Sequence, residues 1–136
     1  TRRNKDFYIV ARIESLILGK TVNDALKRAF AYVKAGADAI LIHSKDKKAK
    51  NVIDFSKKFK KKFPETTVIC VPSTYSSTHE KILFSSGINV VIYANQLLRA
   101  SYFAMLKTAT KILKNQRAHE TEKELVNIKK IISLIK

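Results

Sequence analysis

Polar or charged side chains follow four short apolar runs of this chain, and their chemical types suit a bound polar molecule. Arg12 and Glu14 follow the first run, His43 the second, Ser73 the third and Asn95 the fourth. Guanidinium, imidazole, hydroxyl and amide groups can all hydrogen-bond to a ligand. If the four runs are parallel strands, these groups meet at the carboxyl edge of one sheet, where ligands bind in parallel α/β folds.

Each of these side chains also has an ordinary structural explanation. Arg12 could pair only with the nearby Glu14 carboxylate, and His43 could be a polar group that closes its strand. Asn95 could cap the helix that follows it. Ser73, like its neighbour Thr74, could be a turn residue. The residues alone leave both explanations open.

Hydrophobic patterning predicts a regular alternation of strands and helices. Buried strands are expected near residues 7–11, 39–42, 67–71 and 90–94. Helices are expected from Thr21 to a stop at 35–38, and over 51–63, 79–86, 96–114 and 122–135. This order predicts a parallel α/β fold. It fits either an open four-stranded sheet or half of a (β/α)₈ barrel, because a whole barrel takes about 250 residues.

Length and composition restrict the class of protein. The 136 residues suit one domain, and no apolar run is long enough to predict a transmembrane helix. The basic start of the chain precedes no long apolar region, so no signal peptide is expected. The single cysteine, Cys70, excludes an internal disulfide and lies among branched apolar residues. We therefore expect a packed thiol in a cytoplasmic protein.

The charge is strongly positive, with 27 basic against 11 acidic residues and a formal net charge of +16. Of the basic residues, 21 are lysines, which lack the forked donors that dominate base recognition. The densest lysine run, over 57–62, is interleaved with Phe55, Phe59 and Phe63 at helical spacing. That pattern predicts a lysine-coated helix face. We expect this face to be solvated or to attract anionic metabolites, and we do not expect nucleic-acid binding.

Several segments resemble the phosphoenolpyruvate phosphomutase family, part of the isocitrate lyase superfamily of (β/α)₈ barrels. The segments are Asp-Phe-Tyr-Ile-Val-Ala-Arg-Ile-Glu at 6–14, Ala-Leu-Lys-Arg-Ala at 25–29, Ala-Gly-Ala-Asp-Ala-Ile-Leu-Ile-His-Ser-Lys at 35–45, Val-Pro at 71–72 and Ala-Asn-Gln-Leu-Leu-Arg-Ala-Ser at 94–101. The resemblance covers only the second half of that barrel, strands five to eight. It implies a half-barrel over residues 1–114, followed at 115–136 by a linker and a C-terminal helix that can pack on another subunit.

The resemblance also implies a reaction and roles for the polar residues. The family converts phosphoenolpyruvate to phosphonopyruvate, a step of phosphonate biosynthesis, with Mg²⁺ holding the enolate. Arg12 and His43 match the catalytic groups that hold the migrating phosphoryl anion, and Ser73 and Asn95 are expected to bind substrate. The Mg²⁺ ligands and the gating loop are expected in the first half of the barrel, which nothing here matches.

Two other functions stay open at this stage. A phosphonopyruvate hydrolase is a near relative that sends the phosphoryl group to water, and the gating loop decides between the two reactions. A non-catalytic basic half-barrel that binds a protein or nucleic acid is the alternative of another class. In either enzymatic case we expect the missing barrel half or another subunit as a partner, within a homo-oligomer.

Overall fold

The computed structural model describes residue 4 and residues 6–135. Within this range the chain divides into two compact units, one extending to Ala94 and the other beginning at Asn95.

The first unit is a parallel sheet with helices between its strands. Its strands are β1 (Val10–Ile13), β2 (Ala39–Ile42), β3 (Thr67–Cys70) and β4 (Val90–Val91), and its helices are α1 (Val22–Lys34), α2 (Lys50–Lys62) and α3 (Glu80–Ser85). The strands pair in parallel in the order β1-β2-β3-β4. The prediction of four parallel strands in sequential order is confirmed.

The first strand begins and ends later than the predicted range of 7–11. Residue Ile9 lies just before it, and its N–H donates to the Asp38 carboxylate at 2.7 Å. The Ile9 carbonyl accepts from the N–H groups of Asp38 and Ala39 at 2.9 and 3.2 Å. An aspartate side chain therefore replaces one ladder partner here, and regular pairing starts at Val10. As a result Arg12 lies inside β1, and Glu14 is the first residue after it.

The fourth strand is much shorter than the predicted range of 90–94. Only Val90 and Val91 pair with β3, opposite Ile69 and Cys70. The N–H of Ile92 still donates to the Cys70 carbonyl at 2.9 Å, but the chain then leaves the ladder. Asn95 consequently follows a loop and does not directly end a strand.

One face of the sheet packs against the helices. In register across the sheet, Ile13, Ile42, Cys70 and Val91 belong to this face because alternate strand residues point the same way. They join a core with Ala25, Leu26 and Ala29 of α1, Phe55 and Phe59 of α2, and Leu83 of α3. Helices α1 and α2 also contact each other directly, with the rings of Phe30 and Phe59 6.1 Å apart.

The opposite face of the sheet also carries apolar side chains. Val10, Leu41, Ile69 and Val90 alternate with the core residues and so belong to it. Val10 and Val90, on the two outer strands, are 40% and 41% exposed, whereas Ile69 on β3 is 7% exposed. Helices α1, α2 and α3 thus contribute their core residues to a single face, as in the wall of a barrel.

A side chain caps the start of α1. The Thr21 hydroxyl accepts from the Asp24 N–H at 3.2 Å, which satisfies one of the free donors of the first turn.

The thiol of Cys70 is buried, and burial raises its pKa to about 11. It therefore stays protonated and packs as a small apolar group, as expected.

The second unit contains α4 (Gln96–Asn115), a 3₁₀ helix (His119–Glu124) and α5 (Ile128–Ile132). The prediction of one helix over 122–135 is wrong. Leu125 has an extended backbone, and the Asn127 side chain caps a new helix by accepting from the Lys129 N–H at 2.9 Å. In the described residues no helix is both long and apolar enough to cross a bilayer.

Candidate functional site

Three polar side chains gather on the open face of the sheet at its carboxyl edge. Arg12 lies opposite Leu41 in the pairing of β1 with β2, so Glu14 and His43 follow the two strands at matching positions. Alternation along each strand assigns Arg12, Glu14 and His43 to the face away from the helices. The predicted convergence of Arg12 and His43 therefore occurs.

The three side chains form a hydrogen-bonded cluster, the Arg12–Glu14–His43 cluster. Arg12 Nη2 lies 2.7 Å from His43 Nδ1, and Arg12 Nε donates to Glu14 Oε1. His43 Nδ1 also lies 3.5 Å from Glu14 Oε2. Because a guanidinium can only donate, the short Arg12–His43 contact requires His43 Nδ1 to accept. In this hydrogen bond the ring proton of His43 is on Nε2.

The contacts of Arg12 leave one end of its guanidinium for a ligand. Glu14 takes the Nε–H and His43 takes one Nη2–H, which uses two of the five N–H donors of the group. The outer Nη1 and Nη2 groups carry the other three, and such a pair matches two oxygens of a carboxylate or phosphoryl group. The Arg12 side chain is 51% exposed and that of His43 25%, so solvent reaches both.

Glu14 is ionised in this arrangement. The hydrogen bond from Arg12 is the main reason that the pKa of Glu14 lies below its usual value. The carboxylate and the guanidinium therefore carry opposite charges. Beyond it, the loop from β2 to α2 adds exposed lysines at positions 45, 47 and 48.

Hydroxyl groups fasten the loops around the cluster. Thr74 Oγ1 donates to the Ser44 carbonyl at 3.0 Å, and so ties the loop after β3 to the loop after β2. Ser15 Oγ donates to Asp24 at 2.7 Å, and this bond is the main reason that the pKa of Asp24 is lowered. Sequence reasoning missed the contacts of Ser15 and Thr74, because each joins residues from separate elements.

The other two predicted site residues occupy turn and cap positions. Ser73 is half-buried in the loop after β3, where its N–H donates to the Val71 carbonyl at 2.9 Å. Asn95 belongs to the second unit and is the N-cap residue of α4, with its carbonyl accepting from the Arg99 N–H at 3.0 Å. Substrate binding by Ser73 and Asn95 stays a prediction.

The donor set of the cluster does not suit a magnesium ion. Mg²⁺ prefers an octahedron of carboxylate and water oxygens. In the cluster the one carboxylate, Glu14, already accepts from a guanidinium, whose charge opposes a nearby cation. In the described part of the chain no three His, Cys, Asp or Glu side chains are grouped so that they could hold a metal.

Comparison with known proteins identifies the family. The family model of phosphoenolpyruvate phosphomutase matches residues 1–113, so the chain belongs to this family. It is 38% identical over 134 residues to a phosphoenolpyruvate phosphomutase of Tetrahymena pyriformis, which covers 98% of this chain and 44% of that protein. A phosphonopyruvate hydrolase of Variovorax sp. (strain Pal2) is 36% identical over 134 residues, covering 98% of this chain and 45% of the hydrolase.

Solved structures agree with this assignment. The crystal structure of phosphoenolpyruvate phosphomutase from Streptomyces platensis subsp. rosaceus superposes with a TM-score of 0.90 at 38% identity, over 98% of this chain and 45% of that one. The crystal structure of phosphonopyruvate hydrolase in complex with oxalate and Mg²⁺ superposes with a TM-score of 0.86 at 34% identity. This match covers 98% of this chain and 46% of the hydrolase chain. The chain thus spans less than half the length of these relatives, and the predicted C-terminal half of the barrel is confirmed.

Proposed function

We propose that the complete protein is a phosphoenolpyruvate phosphomutase that interconverts phosphoenolpyruvate and phosphonopyruvate. The reaction breaks the bond between the enol oxygen and phosphorus and forms one between C3 and the same phosphorus, so substrate and product are isomers. The observation that supports this proposal best is the Arg12–Glu14–His43 cluster, with the end of its guanidinium open to a ligand. The family supplies the reaction, and the cluster supplies groups suited to its anion.

In this proposal Arg12 and His43 act on the phosphoryl group during its transfer. The transferred group has the character of metaphosphate, so catalysis depends on positioning and on electrostatic stabilisation. The two outer Nη groups of Arg12 bind a pair of phosphoryl oxygens, and the Nε2–H of His43 donates to a third acceptor of the substrate. Ser73 and Asn95 are proposed as further substrate-binding groups.

Other components of the proposal lie outside this chain. Mg²⁺ belongs to it because a phosphonopyruvate hydrolase of similar structure contains this ion together with oxalate. We propose that the ligands of Mg²⁺ come from the first half of the barrel, which also covers the exposed face around Val10 and Val90. We propose a homo-oligomer that works in phosphonate biosynthesis in the cytoplasm.

Hydrolysis of phosphonopyruvate is the second candidate function, and the Variovorax relative is the reason to retain it. Both reactions need a bound phosphoryl anion, so the Arg12–Glu14–His43 cluster suits either one. Phosphorus NMR of the complete protein with phosphonopyruvate and Mg²⁺ separates them. A mutase gives a phosphate ester signal of phosphoenolpyruvate, whereas a hydrolase gives inorganic phosphate. If neither signal appears, the enzymatic proposal fails.

A further inference from the structure

We infer that Glu14 is a positioning residue, whose carboxylate holds the Arg12 guanidinium so that its outer nitrogens face the ligand. This inference rests on the proposed function, because the benefit of a fixed guanidinium is the orientation of a reacting anion. It assigns a role to an acidic residue that does not itself touch the phosphoryl group.

The side of the guanidinium that Glu14 contacts is the first reason. A carboxylate that bound the two outer nitrogens would occupy the fork and compete with an anionic ligand. Glu14 instead accepts from Nε, on the inner side of the group, and His43 takes an N–H of the adjacent Nη2. These two contacts define the plane and the rotation of the guanidinium, and they leave its outer edge for an oxyanion.

The freedom of an unsupported arginine is the second reason. The Arg12 side chain is half exposed, on the sheet face opposite the one that packs against the core residues of α1 to α3. A long side chain in such a position samples many rotamers, and ordering it during the reaction costs free energy. A contact made before the ligand arrives removes that cost from the transition state. Glu14, two residues along the same strand direction, is placed to make it.

The competing explanation is an ordinary surface ion pair that contributes little. Asp54 and Lys58 on α2 form such a pair, with 2.8 Å between Asp54 Oδ2 and Lys58 Nζ. Its side chains are 43% and 49% exposed, close to the 40% and 51% of Glu14 and Arg12. Asp54→Ala therefore provides a matched control that removes an equally exposed carboxylate outside the cluster.

Steady-state kinetics of three variants in the complete protein tests the role. Glu14→Ala removes the acceptor and is expected to lower kcat about 10- to 100-fold, with KM changed less than about threefold. Glu14→Gln retains an oxygen at the same reach and should stay within about threefold of wild type. Glu14→Asp keeps the charge but is one methylene shorter, so it should resemble alanine. Asp54→Ala should match wild type.

The relative activities of the Glu14 variants show whether the position or the charge of the carboxylate matters. If aspartate retains activity and glutamine loses it, charge and not position is what Glu14 supplies, and the inference is overturned. It is also overturned if Glu14→Ala behaves like Asp54→Ala. A large loss of kcat in Glu14→Ala together with near wild-type kcat in Glu14→Gln supports the positioning role, since a merely structural ion pair would not distinguish these two variants.

A measurement without turnover separates this inference from the proposed reaction. In ¹H–¹⁵N spectra of the arginine side chains, the Nε–H of Arg12, identified by its loss in Arg12→Lys, should be sharp and shifted in wild type. It should remain so in Glu14→Gln and broaden by solvent exchange in Glu14→Ala. An inactive wild type with this pattern refutes the reaction but supports the positioning role. A signal that Glu14→Ala leaves unchanged overturns that role even if the enzyme is active.

Discussion

Replacement of Arg12 by lysine tests the centre of the proposed site. Lysine retains the positive charge but carries a single ammonium nitrogen, so it cannot present two parallel donors to an oxyanion. In the structure Arg12 binds Glu14 and His43 through one side of the guanidinium and leaves the other side open. The three donors of an ammonium group diverge from one nitrogen, so they cannot reproduce the contacts that Arg12 makes through separate nitrogens.

The size of the effect follows from the donors that are lost. Removing one preorganised donor to a developing negative charge commonly lowers kcat by about 10²- to 10³-fold, or about 2.7–4 kcal/mol. Arg12→Lys removes the outer fork but keeps a cation, so we expect a loss of about 10²-fold. Stability should change by less than about 1 kcal/mol, because Arg12 and Glu14 form an exposed pair that solvent screens.

The assay is phosphorus NMR of the complete protein with phosphonopyruvate and Mg²⁺, combined with a thermal melt of each variant. His43→Ala belongs in the same series and should also slow the reaction without unfolding the protein, since His43 lies at the end of β2. Wild-type turnover in Arg12→Lys would show that Arg12 is structural and would refute the site. A melting temperature of Arg12→Lys that is lower than wild type by more than about 10 °C would instead refute the claim that Arg12 contributes little to folding.

Three further predictions concern charge, backbone and association. Lys48→Glu, in the loop between β2 and α2, should lower kcat/KM about twofold to threefold at low ionic strength and have no effect at high salt. Lys61→Glu, roughly 16 Å along α2 from its start, should have the smaller effect, and equal effects would contradict local steering. Gly87→Ala should lower the melting temperature by about 5 °C, because its φ is +100° and an added Cβ would lie 2.6 Å from a lysine of α2. Gly36→Ala, with φ +99° but open space around it, isolates the backbone contribution and should cost less. Finally, light scattering of the isolated 136-residue chain should show association through the uncovered sheet face, and a stable monomer of 15.4 kDa would contradict this.

The strand order and the meeting of Arg12 with His43 could be predicted because they depend on local patterns. Apolar runs identify parallel strands, and residues that follow neighbouring parallel strands must share an edge. The start of β1 could not be predicted, because it depends on a bond between Ile9 and the side chain of Asp38, 29 residues away. The contact of Arg12 with Glu14 stayed open, since spacing alone does not say which nitrogen an acid will bind.

The wrong prediction of one continuous terminal helix has a different cause. An apolar stripe from 125 to 135 has helical spacing, but Asn127 within it is a strong capping residue. The cap starts a short new helix, and Leu125 before it is extended. A periodic pattern therefore indicated helix and missed its interruption. Substrate binding by Ser73 and Asn95 stays a prediction, because a hydroxyl or an amide at a turn or cap position has an ordinary structural role as well.

Arg12 lies in β1 and Glu14 directly follows this strand, so one short segment of backbone carries both residues of the pair. Two residues of a strand span roughly 6.6 Å, and that separation is set by the backbone and not by whichever chain completes the sheet. An arginine oriented by an acid from another element would lose its orientation whenever that element shifted. A chimaeric barrel that joins this chain to the first half of a relative would therefore contain an arginine that is already oriented. The first half would have to supply only the metal ligands.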